Sequence, residues 1–306
     1  MRWTEASDGP VLVEDSAPVP EPGAGEILVR VHAAAVTPAE RHWYPTTHSK
    51  EGGTRTGAVP AHEFSGVIAA TGAGISGFFP GDEVFGMNDW FADGATAEYC
   101  ISQAAWIAPK PSNLTHAEAA TVPISALTAW QGLILRAKIR PDDHVLVHGG
   151  AGAVGIFAVQ LARMAGAHVI ATASSRNIDF LLQIGAENVI DRTTTRFENE
   201  VSGVDIIFDT VGGDTLERSW PLLKPGGRMV TIASDIESSH DERAKSAFFI
   251  VEASGEQLSE IGQLLEKGTI RPALDNIVPF ANASIAYDGT LKRNAGRGKV
   301  AVRILP

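Results

Sequence analysis

The chain has 306 residues, 44% hydrophobic and 20% charged, and 25 Lys and Arg against 36 Asp and Glu leave a net charge of −11. At about 150 residues per domain that length predicts two domains, each with its own core, and excludes whole-chain disorder. The acidic balance, without a basic run or a stretch near ~18 apolar residues, argues against nucleic acid or a membrane as partner.

The single cysteine, Cys100, leaves no intrachain disulfide and no multi-cysteine zinc site. The opening residues 1–10 are polar and lack an apolar signal core, so a cytoplasmic protein is expected. The first hundred residues punctuate as β structure. Strands are predicted over 27–33, 62–68 and 96–101, with the Pro80-Gly81-Asp82 turn feeding another at 83–84. From Thr115 the texture changes to helices over 116–120 and 125–133. Strand–helix alternation follows, the pattern of a parallel α/β sheet. Strands are expected at 144–148, 168–172, 189–191, 204–209 and 226–233, and helices at 154–164, 178–184 and 258–267. The last forty residues return to strand texture, ending at 298–304.

The strand at 144–148 runs through Gly149-Gly150-Ala151-Gly152-Ala153-Val154-Gly155 straight into a helix. Glycines at a strand–helix turn permit close approach to a pyrophosphate, and the helix N-terminus offers N–H groups and a positive dipole end. That context predicts a dinucleotide site of Rossmann type, with Gly149, Gly152, Ala153, Val154 and Gly155 as its phosphate loop. An NAD site places an acid about 20 residues on, at the end of the second strand, to hold the ribose 2′-hydroxyl. Here that position reads Ala173-Ser174-Ser175-Arg176-Asn177. Two hydroxyls and a guanidinium suit a 2′-phosphate, which predicts NADP(H), although a serine here can also cap the following helix.

The chain resembles the medium-chain dehydrogenase/reductase superfamily, in its zinc-free quinone oxidoreductase branch. The resemblance is carried by residues 19–31, Ala61-His62-Glu63-Phe64-Ser65-Gly66-Val67, 80–84, 123–130, 148–155 and 297–300, in the expected order. It implies a GroES-like β-rich domain over 1–120, a Rossmann doubly wound domain over 121–265, and a return to the first domain over 266–306. It also implies a homodimer. Further cofactor contacts are implied at Thr128, Val211, Gly212, Ile232, Ala233 and Phe249. Arg192 is either a second phosphate partner or a solvated strand-end arginine.

Zinc enzymes of the superfamily hold their metal with a Cys, a His and a further ligand. Thr37 and Ile124 stand at two of those places, leaving His62 and Glu63. Adjacent residues on a strand point to opposite faces, so no zinc site is expected. Without a Lewis acid, quinones or α,β-unsaturated carbonyls are the expected acceptors, with hydrogen-bond donors stabilising the developing oxyanion. Tyr44, Thr37 and His48 are the donor candidates, and Tyr44 with Trp43 could equally form the aromatic wall of an apolar pocket. An enoyl-thioester reductase and a low-turnover NADPH-binding sensor remain the alternatives.

Overall fold

The computed structural model describes residues 1–6, 9–233 and 241–305. The chain opens with a hairpin, β1 (Arg2–Ala6) and β2 (Gly9–Val13), followed by β3 (Glu26–Val36) and the short α1 (Tyr44–Thr47). Next come β4 (Glu63–Thr71), β5 (Glu83–Met87), β6 (Tyr99–Gln103), β7 (Ile107–Pro109) and α2 (His116–Ala120). Helix α3 (Pro123–Trp130) leads into β8 (His144–Val147), α4 (Ala153–Met164), β9 (His168–Ala173), α5 (Ile178–Gln183) and β10 (Asn188–Asp191). Then follow β11 (Val204–Asp209), α6 (Gly213–Ser219), β12 (Leu223–Thr231), α7 (Glu242–Ala247) and α8 (Gly255–Glu266). The chain finishes with β13 (Leu274–Pro279), α9 (Ser284–Tyr287) and β14 (Lys299–Arg303).

Two compact units emerge. The first takes residues 1–124, 253–268 and 272–306; the second takes 125–252 and 269–271. Helix α8, inside the stretch expected to be Rossmann, therefore lies in the first unit. The reason is packing. A Cβ on Gly255 would sit 2.4 Å from the Ile107 carbonyl, so α8 begins pressed against β7.

The first unit is a seven-stranded sheet in the order β13-β14-β3-β4-β5-β7, with β6 also on β3. All its pairs are antiparallel except β13 with β14. One face buries Ile27, Val29, Val31, Phe64, Ile68, Val84 and Ile107. The opening hairpin, which the polar sequence of residues 1–10 concealed, packs Trp3 edge-on against Tyr287 at 5.5 Å.

The second unit is a parallel sheet in the order β10-β9-β8-β11-β12. In chain order that is 3-2-1-4-5, so the connection reverses between β8 and β11, and the carboxyl ends there flank a crevice that suits a ligand. Its strands read as continuous apolar runs because both faces are covered. Leu146, Ile190, Val204 and Ile207 are buried with Phe197 and Leu222 in one cluster. The helix expected over 125–133 is α only to Trp130. One π turn, Gln131–Arg136, continues it.

Candidate functional site

The glycine turn leaves β8 at its carboxyl end. Gly149 has φ +68, a left-handed conformation that other residues adopt at a cost. The Gly152 N–H closes the turn on the Gly149 carbonyl at 2.8 Å, and Gly152 is the N-cap of α4. A Cβ on Gly155 would lie 2.2 Å from the Gly149 carbonyl, so this glycine lets helix and turn touch. A Cβ on exposed Gly152 would meet protein only at the Gly149 carbonyl, 3.1 Å away, and otherwise point into open space. Ala153, Val154 and Gly155 form the first helical turn, whose N–H groups have no intrahelical acceptor. The cradle fits a pyrophosphate.

Across the switch point, the buried Asp209 carboxylate accepts from the N–H groups of Val211 (3.1 Å) and Gly212 (3.0 Å) and from the Thr231 hydroxyl (2.8 Å). It fixes the loop after β11 beside the glycine turn, and Thr210 Oγ1 donates to the His148 carbonyl at 2.8 Å. The Ile232 N–H bonds the Asp209 carbonyl at 3.1 Å, so Ile232 and Ala233, which follow β12 instead of ending it, stay at the same sheet edge. Phe249 is 4% exposed, with its N–H on the Thr231 carbonyl at 3.3 Å. Thr128 is buried within α3.

At the end of β9, Ser174 is half-buried while Ser175 and Arg176 are exposed. The Arg192 N–H bonds the Ala173 carbonyl at 2.9 Å, which brings Arg192 to the same edge as Ser174. The nearby Asp191 carboxylate accepts from the Thr193 N–H at 2.9 Å and hydroxyl at 2.7 Å, bonds that hold its carboxyl below the usual range. The Ser175 N–H adds to the same lowering, so the Asp191 carboxylate lies at this edge as well. The end of β9 itself offers hydroxyls and a guanidinium, Arg192 adds a second guanidinium, and the one carboxylate at this edge, Asp191, comes from the end of β10.

In the first unit, Tyr44 is 52% exposed and its ring stacks on His48 at 4.4 Å, with Phe91 edge-on at 6.4 Å. His48 Nδ1 pairs with Thr47 Oγ1 at 2.9 Å. Trp43 meets Trp90 edge-on at 5.5 Å, and Trp90 lies 5.3 Å from the His62 ring. The rings form two clusters, Tyr44 with His48 and Phe91, and Trp43 with Trp90 and His62, and the first carries an exposed phenol. Thr37 is half-buried after β3, its carbonyl accepting from the Glu40 N–H at 3.0 Å.

The donor set does not fit zinc. Among the described residues no group of three or more His, Cys, Asp and Glu could hold a metal ion. Glu63 is fully buried, with one carboxylate oxygen on the Lys299 ammonium and the other accepting from the Ile124 N–H at 2.9 Å. Burial raises its carboxyl, and Lys299 pulls it back. Ile124 thus contributes a backbone donor where a zinc enzyme would contribute a ligand. Burial, aided by Arg55, pushes the buried His62 down to about 4, so its ring is neutral. Cys100 is buried, and burial raises its thiol far from the thiolate a metal needs.

Sequence reasoning missed the buried polar layer around Glu63. Glu40 is 1% exposed and accepts from the Ala61 N–H at 2.5 Å; burial pushes its carboxyl up to about 8. Buried Tyr287 bonds Thr96 through their hydroxyls at 3.2 Å, and burial with the nearby acids raises its phenol. A solitary acid three residues beyond Thr37 carried no signal of this.

Residues 23–112 match the alcohol dehydrogenase GroES-like domain family, and residues 184–302 match the zinc-binding dehydrogenase family. The chain is 33% identical to a probable zinc-binding oxidoreductase, mitochondrial, of Arthroderma benhamiae, over 96% of this chain and 93% of that one. It belongs to the medium-chain dehydrogenase/reductase superfamily, in its quinone oxidoreductase-like branch. A 2-methylene-furan-3-one reductase of Solanum lycopersicum is 30% identical, over 99% of this chain and 79% of that one. The solved quinone oxidoreductase of Coxiella burnetii superposes with a TM-score of 0.86 at 28% identity, over 99% of this chain and 98% of that one. The chain is an oxidoreductase with a nicotinamide cofactor and a small-molecule substrate. Among the described residues no helix is long and apolar enough to cross a membrane.

Proposed function

We propose that this oxidoreductase uses NADPH, without zinc, to reduce quinones or α,β-unsaturated carbonyls. The observation that carries the cofactor choice is the edge after β9, where Ser174, Ser175, Arg176 and Arg192 stand in place of a ribose-binding acid. A charge-assisted hydrogen bond to a 2′-phosphate contributes about 1.5–3 kcal/mol, roughly a ten- to hundredfold preference over NADH. Bound NADPH supplies a hydride, and the acceptor completes its reduction by taking a proton. The chain's part is to hold the dinucleotide on the glycine turn and α4, to place the acceptor, and to steady the oxyanion. The Tyr44 hydroxyl, at the start of α1, is the donor proposed for that last role, with Thr37 at the start of the connection from β3 as the second candidate. The poor zinc donor set supports acceptors that need no Lewis acid.

Fluorescence titration with NADPH and NADH, followed by turnover on a panel of quinones, enals and simple ketones, tests the reading. Tighter NADPH binding, reduction of quinones or enals, and inert ketones are expected; equal cofactor affinities or ketone turnover would refute it. Elemental analysis is expected to find far less than one zinc per chain, with activity unchanged by chelators. The same reading includes a homodimer and a cytoplasmic address, which light scattering and imaging of a tagged chain check.

A further inference from the structure

The π turn after α3 has a consequence at the cofactor edge of the second unit. Residues five apart in an α-helix lie about 140° apart around the axis, on nearly opposite faces. The wider i to i+5 repeat of a π turn brings such residues back towards one side. Here the turn is closed by the Ala137 N–H on the Gly132 carbonyl at 2.9 Å, and its first and last residues are Gln131 and Arg136. Both reach the segment that follows α7. Gln131 is buried; its Nε2 donates to the Glu252 carbonyl at 2.8 Å and its Oε1 accepts from the Glu252 N–H at 3.0 Å. The side-chain amide pairs with the main chain as a neighbouring strand would. The Arg136 guanidinium covers the Phe249 ring at 4.6 Å.

The other end of this segment is tied to the sheet. Phe248 bridges Thr231 in parallel, and the Phe249 N–H bonds the Thr231 carbonyl. Residues 249–252 are therefore pinned at both ends, beyond the carboxyl end of β12. Val251 is buried between the anchors, while Ile250 is exposed. The two-bond amide clamp joins residues 121 apart in sequence.

We infer that Gln131 is a positioning residue for hydride transfer: through Glu252 it fixes residues 249–251 at the β12 end of the sheet, across the switch point from the 2′-phosphate edge at β9, where the nicotinamide half of the dinucleotide would lie. The inference rests on the NADPH reading above. Two substitutions isolate it. Gln131→Met keeps length and volume and removes both hydrogen bonds. Gln131→Glu keeps the acceptor for the Glu252 N–H but sets a carboxylate against the Glu252 carbonyl until it is protonated.

The experiment combines single-turnover oxidation of NADPH by a quinone with binding of 2′-phospho-ADP-ribose, which lacks the nicotinamide. In Gln131→Met the hydride-transfer rate is expected to fall at least about tenfold while 2′-phospho-ADP-ribose affinity changes less than about twofold. In Gln131→Glu the rate relative to wild type rises as pH is lowered, because the protonated carboxyl regains a donor. Rates within twofold of wild type, equal losses in binding and transfer, or a pH-independent ratio for Gln131→Glu would each overturn the inference. A wild-type chain that neither binds nor oxidises NADPH overturns the cofactor reading, and the inference falls with it.

Discussion

The cofactor edge of the parallel sheet and the buried polar layer of the seven-stranded sheet are both rich in chemistry, yet they are assembled differently. At the edge, the turn, the hydroxyls and Arg176 come from one run, Gly149 to Arg176, with Arg192 added from just beyond β10, and Gly152, Ser175, Arg176 and Arg192 are exposed. In the layer, Glu63 and Lys299 meet across 236 residues of sequence, and neither is exposed. A ligand site is made by what is left open; the layer is made by what must be paired. Substitutions at the edge should therefore cost affinity at constant stability, and those in the layer should cost stability first.

The largest effect is expected in the layer. Lys299→Met leaves the Glu63 carboxyl buried without its cation, a loss of about 3–5 kcal/mol in unfolding free energy by urea denaturation. Adding Glu63→Gln keeps an acceptor for the Ile124 N–H and should restore most of that loss. If the double variant is no more stable than the single, the pair is not the unit described. At the edge, Gly152→Val is expected to weaken NADPH binding at least about hundredfold by filling the cradle, since affinity there rests on close approach to the backbone. Its melting temperature should stay within a few degrees of wild type, because the added side chain meets only one carbonyl. A parallel collapse in stability would erase the contrast between the regions.

Arg176→Ala sharpens it. NADPH affinity should fall about tenfold to hundredfold, with NADH affinity within about twofold, in the same titration. Equal losses would remove the 2′-phosphate from this edge.

A further contrast lies in the pH dependence of stability. Burial holds His62, His116 and His148 down at about 4 in the folded chain, against 6.5 when unfolded. Their contribution is complete above pH 6.5 and fades as pH falls towards 4, as the unfolded chain takes up protons that the folded chain refuses. Glu40 has the opposite sign. With its carboxyl up at about 8 in the folded chain, against 4.5 when unfolded, its contribution is complete below 4.5 and fades as pH rises towards 8. Melting temperatures should thus decline from pH 6.5 to 8, and Glu40→Gln should flatten that decline; an unchanged slope would assign it to another group.

The same contrast governs what the sequence disclosed. The strand–turn–helix that carries the glycines was legible because its elements follow one another without interruption and each step has a local signature. The seven-stranded sheet was legible in its strands but not in its pairings: β14 lies beside β3, and nothing local announces that Lys299 will face Glu63. The opening hairpin has little local signature, because its strands are five residues each and the second begins Gly9-Pro10. The π turn escaped because an apolar run such as Gly132-Leu133-Ile134-Leu135 has no period that separates a π turn from an α turn. Gln131, inside the helix expected over 125–133, carries no local sign that its amide will meet Glu252.

The chain order of the first unit also sets a timetable. Its central strand β3 is synthesised early, but the neighbour β14, and Lys299 with it, comes only at the end, after the whole of the second unit. Domains that form during synthesis usually mature from the N-terminus onward. In this protein the contiguous parallel sheet can close while the earlier-made sheet still waits on the ribosome for its last strand, with two acids committed to its interior and no cation yet to meet them. The part of the enzyme that is translated first is the part that finishes last.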